Sequence, residues 1–197
     1  MNYYVPYKSN VKSINLLYIL YLYGIAEYNK DTKTRNTIKY NSIKEIKERI
    51  NNKFNISLSQ STAERFINAI SKRKEYAEYF EIDINNKYII IKNNFKSKKK
   101  CSFVVLGEKQ YNFLTNSKND LLCKYYLCLL YNCGKSKTNT IDSTAEQLLT
   151  EMGYSTKSGT NKAKLSEYNA LLKENALIQI NSYTDKQGYK RNKYSFA

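Results

Sequence analysis

The 197-residue chain contains no histidine. That absence removes histidine general bases, Ser-His and Cys-His nucleophile pairs, HEXXH zinc sites and histidine-ligated nickase centres. Cysteine is sparse: Cys101, Cys123, Cys128 and Cys133 form no CxxC pair, and steps of five scatter the last three around a helix. Neither a zinc site nor a disulfide framework is expected, only small buried thiols in a reducing, cytoplasmic compartment. No run is long enough to span a bilayer. The most apolar stretch, INLLYILYLYGIA at 14–26, is about half that length and reads as a buried core helix. The start, MNYYVPYKSN, lacks the basic-then-apolar pattern of a signal peptide. Acid is scarce as well, with 17 Asp+Glu against 33 Lys+Arg and a net charge of +16. Such an excess favours a polyanionic partner. Abundant Asn, Lys, Ile and Tyr also match an AT-rich coding sequence, so charge alone does not name that partner.

What is present suffices for packed cores: 42% of residues are hydrophobic and 14% aromatic. The polar run KNNFKSKKK at 92–100 is the natural seam, predicting units at 1–95 and 96–197. Both units are basic, with 16 basic and 9 acidic side chains in the first and 17 and 8 in the second. In the first unit a helix is expected over about 11–28, then an irregular loop through NKDTKTRNT. Ile43, Ile46 and Ile50 predict an amphipathic helix opened by a Ser42–Glu45 capping box. Ala63, Phe66, Ile67 and Ile70 predict the next, and EYFEIDINNKYIIIK folds back as a hairpin at Asn85-Asn86. The second unit has a strand at CSFVVLG, an apolar helix at LLCKYYLCLLYNC and a helix at TAEQLLTEMGY stopped by Gly153. A further helix follows with Leu165, Tyr168, Leu171 and Leu172 facing inward, then a hairpin turning at Asp185–Gly188. The expected order in each unit is helix, helix, turn, helix, hairpin.

The segment GYSTKSGTNKAKLSEYNALLKENALIQI at 153–180 opens with hydroxyls and lysines: Ser155, Thr156, Lys157, Ser158, Thr160, Asn161, Lys162 and Lys164. Its first acid is Glu167. An ordinary capped helix, a phosphate cradle and a helix entering a nucleic-acid groove all fit that pattern.

TAEQLLTEMGYS followed by TNKAKLSEYNALLKENALIQI resembles the winged helix-turn-helix family of DNA-binding domains, well over 115–197 and less closely over 11–92. The resemblance implies an α+β, mainly α, fold with two such domains, each a three-helix core with a β-hairpin wing. A tandem pair in a small basic chain is similar to plasmid replication initiators of low-GC Gram-positive bacteria, which bind repeated origin sequences. It is also similar to phage and plasmid regulators.

In such domains the start of the third helix lies nearest the base edges. The resemblance therefore implies DNA contacts from the eight residues above, with Asn161 suited to an adenine edge. In the first unit the equivalent set is Ser59, Gln60, Ser61, Thr62 and Arg65, with Glu64 opposing it. The second wing carries Lys186, Lys190, Arg191 and Lys193 around Tyr189, whereas the first has Lys87 beside Glu81 and Asp83. The second unit is expected to make the stronger contact. Lys98, Lys99 and Lys100 are candidates for phosphate contact.

Two decoys fail. CGKSKT at 133–138 lacks the P-loop glycine, since Leu129 stands there, and it follows a helix. Glu81, Asp83 and Lys87 lack a third acid for a metal nuclease. The expectation is a cytoplasmic, non-enzymatic protein with no cofactor and no membrane partner. It binds double-stranded AT-rich DNA, as a replication initiator recruiting host replication proteins or as a transcriptional regulator. A homodimer and a two-domain monomer both suit paired half-sites, and a protein–protein adaptor is the rival class.

Overall fold

The computed structural model describes residues 2–7, 11–29, 34–77, 79–83, 85–92 and 103–196. Cys101 and the linker lysines Lys98, Lys99 and Lys100 lie outside them. The chain is an α+β fold.

The first helix, α1 (Leu16–Ile25), begins where the Asn15 side chain accepts from the Tyr18 amide at 3.0 Å. Every residue of α1 except Tyr18 is buried. A helix apolar on all sides belongs at the centre of a fold. Accordingly α1 packs against α2 (Ile43–Phe54), α4 (Glu108–Ser117) and α5 (Asp120–Lys135). Gly24 permits that proximity: a Cβ there would lie 2.3 Å from Phe54 Cζ and 2.4 Å from Tyr111 Oη. The helix is shorter than the expected 11–28. A 3-10 turn (Val11–Ser13) precedes it and a strand, β2 (Glu27–Asn29), follows.

The sequence pattern missed strands in both halves and the helix α4 of the second. Thr34–Lys39, of which 34–37 was expected as irregular loop, forms β3, with Ile38 fully buried opposite Ile89. Then come α2, α3 (Gln60–Lys72) and the hairpin β4 (Phe80–Asp83) and β5 (Tyr88–Ile91). These strands form a sheet in the order β2-β3-β5-β4. After β6 (Phe103–Leu106) and α4, the same plan recurs. Helix α5 leads to β7 (Thr140–Ser143), α6 (Ala145–Met152), α7 (Gly159–Glu174) and the hairpin β8 (Gln179–Thr184) and β9 (Lys190–Ser195). Their sheet runs β7-β9-β8. β3 pairs with β5 and β7 with β9, so in both halves the strand ahead of the helix pair joins the second strand of the hairpin. A third, two-stranded sheet joins β1 (Tyr3–Pro6) to β6 across the seam. One apolar cluster extends from Val5 through α1 and α5 to Tyr194.

Local signals are mostly realised. Ala63, Phe66, Ile67 and Ile70 are buried on α3. Ser42 caps α2 by accepting from Glu45 N at 3.2 Å, but Glu45 reaches back to Asn41 N at 2.9 Å, so the box is displaced by one residue. Leu171, expected inside, is 41% exposed. Leu165, Tyr168 and Leu172 alone fill the inner face of α7. Cys123, Cys128 and Cys133 are free and buried, and loss of solvent raises the Cys128 thiol to about 12 and the Cys133 thiol to about 11. Cys133, Gly134 and Lys135 belong to α5, which rules out a phosphate loop there. Among the described residues, no helix is long and apolar enough to cross a membrane.

Candidate nucleic-acid interface

The turn between α6 and α7 is built by caps at both ends. Thr144 and Gln147 form a reciprocal capping box at the start of α6, at 3.2 and 2.8 Å. At its end Gly153 takes φ 81°, a conformation that suits glycine, and Tyr154 N donates to Leu149 O at 2.8 Å. Ser158 then opens α7, accepting from Asn161 N at 3.3 Å. The Asn161 amide donates to the Ser155 carbonyl at 3.3 Å, and Ser155 Oγ accepts from Lys157 N at 3.3 Å. Ser155, Ser158 and Asn161 thus hold the turn in shape. Asn161 is half-buried, and its Oδ1 accepts no hydrogen bond among the described residues.

The charges divide into paired and unpaired. Lys162 meets Glu146 of α6 at 2.6 Å, a contact that holds the Glu146 carboxyl below its ordinary range. Lys157, Lys164 and Thr160 are exposed, and Thr156 is half-buried. Neither lysine has a carboxylate partner among the described residues. The outward face of α7 carries Thr160, Ala163, Lys164, Glu167 and Leu171, all exposed.

Part-buried polar contacts fix α7 to its surroundings. Tyr125 of α5 donates to Asn169 Oδ1 at 2.6 Å, and Asn169 Nδ2 lies 3.5 Å from the Tyr194 hydroxyl of β9. Asn119 and the Tyr168 hydroxyl exchange hydrogen bonds at 3.0 and 3.2 Å. Such a network sets the angle between helix and hairpin, because each group left unpaired would cost about 1–3 kcal/mol.

Strand alternation splits the hairpin's cations between two faces. Lys190 shares a face with Asn192 and the buried Tyr194, the side turned toward α7; Arg191 and Lys193 lie on the other. Lys186 is exposed at the tip beside Tyr189. Arg191 is not a free cation. Its Nε donates to Asp185 at 2.6 Å, and Nη1 lies 3.9 Å from Asp142 of β7. Asp142 also accepts from the Tyr183 hydroxyl, which that bond keeps protonated above its ordinary range. Lys186, Lys190 and Lys193 have no carboxylate partner among the described residues.

The corresponding set in the first half is more self-satisfied. Ser59 caps α3 through Thr62 N at 3.2 Å and shares hydrogens with Ser61 and Thr62 at 3.1 and 2.8 Å. Gln60 donates to Glu64 at 2.8 Å. Arg65 is exposed, with no ion pair among the described residues. Asp83 binds the Asn86 amide and backbone at 2.8 and 2.9 Å, closing its own turn.

The pairing of Asp142 and Glu146 with interface cations escaped sequence reasoning. Glu146 lies in the first turn of a recognised helix, but Asp142 lies on β7, a strand the pattern did not reveal. A search of protein-family models, curated proteins and solved structures finds no match to this chain.

Proposed function

We propose that the chain is a non-enzymatic, sequence-specific double-stranded DNA-binding protein made of two winged helix-turn-helix units. In this reading α7 enters the major groove and the β8–β9 hairpin follows the backbone. One observation carries it: Lys157, Lys164, Lys186 and Lys190 extend from turn, helix and hairpin without a carboxylate partner among the described residues. A surface meant only for solvation distributes acids among its bases; a surface that meets phosphate leaves its bases free.

The repeated order of helix, strand, helix, helix and hairpin supports the family resemblance in both halves. The second unit is the main grip, since Gln60, Ser59 and Asp83 of the first are spent on internal bonds. Two like units in tandem suit direct repeats, which favours initiation of replication at iterated AT-rich origin sites of a plasmid or phage. Such a protein acts by binding, bending and recruiting host replication proteins.

Selection of bound duplexes from a randomised pool tests this reading. AT-rich sites enriched as repeats support it. Recovery of a single palindrome points to a transcriptional regulator, and no enrichment over naked beads points to a protein–protein adaptor.

A further inference from the structure

The start of α5 carries an ion pair of a buried lysine and a half-buried aspartate, two of whose remaining bonds come from the opposite half of the chain. Lys124, 3% exposed, meets Asp120 at 2.7 Å. The other Asp120 oxygen accepts from Leu17 N, in the first turn of α1, at 3.0 Å. Lys124 Nζ donates to the Lys12 carbonyl at 3.1 Å and to the Tyr154 hydroxyl at 3.4 Å. Buried charges are tolerated only when such extra bonds satisfy them. The backbone from Lys12 to Leu17 is therefore clamped in place.

The clamp has a consequence at the surface. It brings the exposed side chain of Lys12 to Tyr154, with Nζ 5.9 Å from the ring centroid, within cation–π range. Tyr154 directly precedes Ser155, the first residue of the candidate interface. Lys124 Nζ lies at the same 5.9 Å from that ring, but its charge is offset by Asp120. Lys12 has no carboxylate partner among the described residues.

We propose that Lys12 is a phosphate-contacting residue of the second unit's DNA surface, delivered across the seam by the Asp120–Lys124 clamp. The inference rests on the duplex-DNA reading above. It extends the interface from the α6–α7 turn onto the 3-10 turn before α1, so the grip of one half includes a cation from the other. The ammonium sits beside the turn leading into α7, where the backbone of a duplex in contact with that helix start would pass.

The test compares full-length wild type, Lys12→Gln and Lys135→Gln in binding one AT-rich duplex over a series of salt concentrations. Lys135, whose ammonium lies 3.9 Å from the Tyr131 ring centroid, is a charge-matched control eleven residues and about 16 Å beyond Lys124 along α5. Lys12→Gln should weaken binding severalfold and reduce the slope of log affinity against log salt by about 0.9, the loss of one phosphate contact. Lys135→Gln should leave that slope at the wild-type value. A steep wild-type slope unchanged by Lys12→Gln overturns the assignment and leaves the DNA reading intact. Equal losses from both variants also overturn it, since they would report net charge alone. A flat wild-type slope removes the DNA reading, and this inference with it.

Discussion

Arg191 and Asp185 close the tip of the second hairpin on each other. The guanidinium Nε donates to one carboxylate oxygen at 2.6 Å, while the other oxygen accepts the amides of Gln187 and Tyr189 at 2.9 Å each. Asp185 thus shapes the turn and also neutralises the wing's arginine. Arg191 lies too close to two acids, Asp185 and Asp142, to serve as a free backbone contact in the unbound protein.

Releasing that arginine should strengthen DNA binding. Asp185→Asn keeps an acceptor for the turn amides and removes the charge holding Arg191. Affinity for duplex DNA should rise, with a steeper salt slope, in titrations at fixed temperature. Weaker binding would mean that the pair itself organises the contact surface.

The same carboxyl gives a pH dependence of known sign. The Arg191 guanidinium first, then the Tyr189 amide, holds Asp185 below its ordinary range. A depressed value stabilises the folded tip above the unfolded range near ~3.9, and that contribution is lost as pH falls through the folded value. Amide protection of Gln187 and Tyr189 should fall on acidification below about pH 4. The Tyr154–Leu149 backbone bond, which involves no carboxylate, should stay protected in the same hydrogen-exchange series.

Ser158 separates capping from DNA contact. Ser158→Ala should cost about 1 kcal/mol of stability in urea unfolding, the usual value of an N-cap. Ser158→Asp should restore stability, since aspartate caps as well and suits the helix dipole. It should also weaken DNA binding by placing an anion at the start of α7. Stability and affinity moving together in both variants would contradict the assigned position of this helix.

Gly24 tests the packing at the centre of the fold. A Cβ there collides with Phe54 and with the Tyr111 hydroxyl, which is itself bonded to Leu20 O at 2.8 Å. Gly24→Ala should destabilise by about 1–3 kcal/mol through overpacking, outweighing the roughly 1 kcal/mol gained in helix propensity. A higher midpoint of thermal unfolding would contradict that packing.

Periodicity made α2, α3 and α6 legible, because each buries one stripe against a shared core, whereas α4 was not read. Both hairpins were legible from alternation around turn residues. The strands β3 and β7 were not, because they are short, polar and defined by partners far along the chain. Ile38 pairs with Ile89 and Asp142 with Lys193, and no local pattern encodes either match. Leu165, Tyr168 and Leu172, spaced three and four apart, define the buried stripe of α7, and Leu171 falls on its exposed side. The candidate interface was legible as a list of cations. Which of them are neutralised was not, since Glu146 and Asp142 reach Lys162 and Arg191 only through the tertiary fold. The clamp on Lys12 joins residues more than a hundred positions apart, beyond any motif.

The most direct measurement is the salt dependence of duplex binding by wild type and by a variant with Lys157, Lys164, Lys186 and Lys190 changed to Gln. Wild type should give a slope of log affinity against log salt of about −4 to −6, and the variant should lose about 3–4 of it, roughly 0.9 for each phosphate contact removed. A flat wild-type response, or a variant that keeps the full slope, would contradict the claim that these unpaired lysines grip a nucleic-acid backbone.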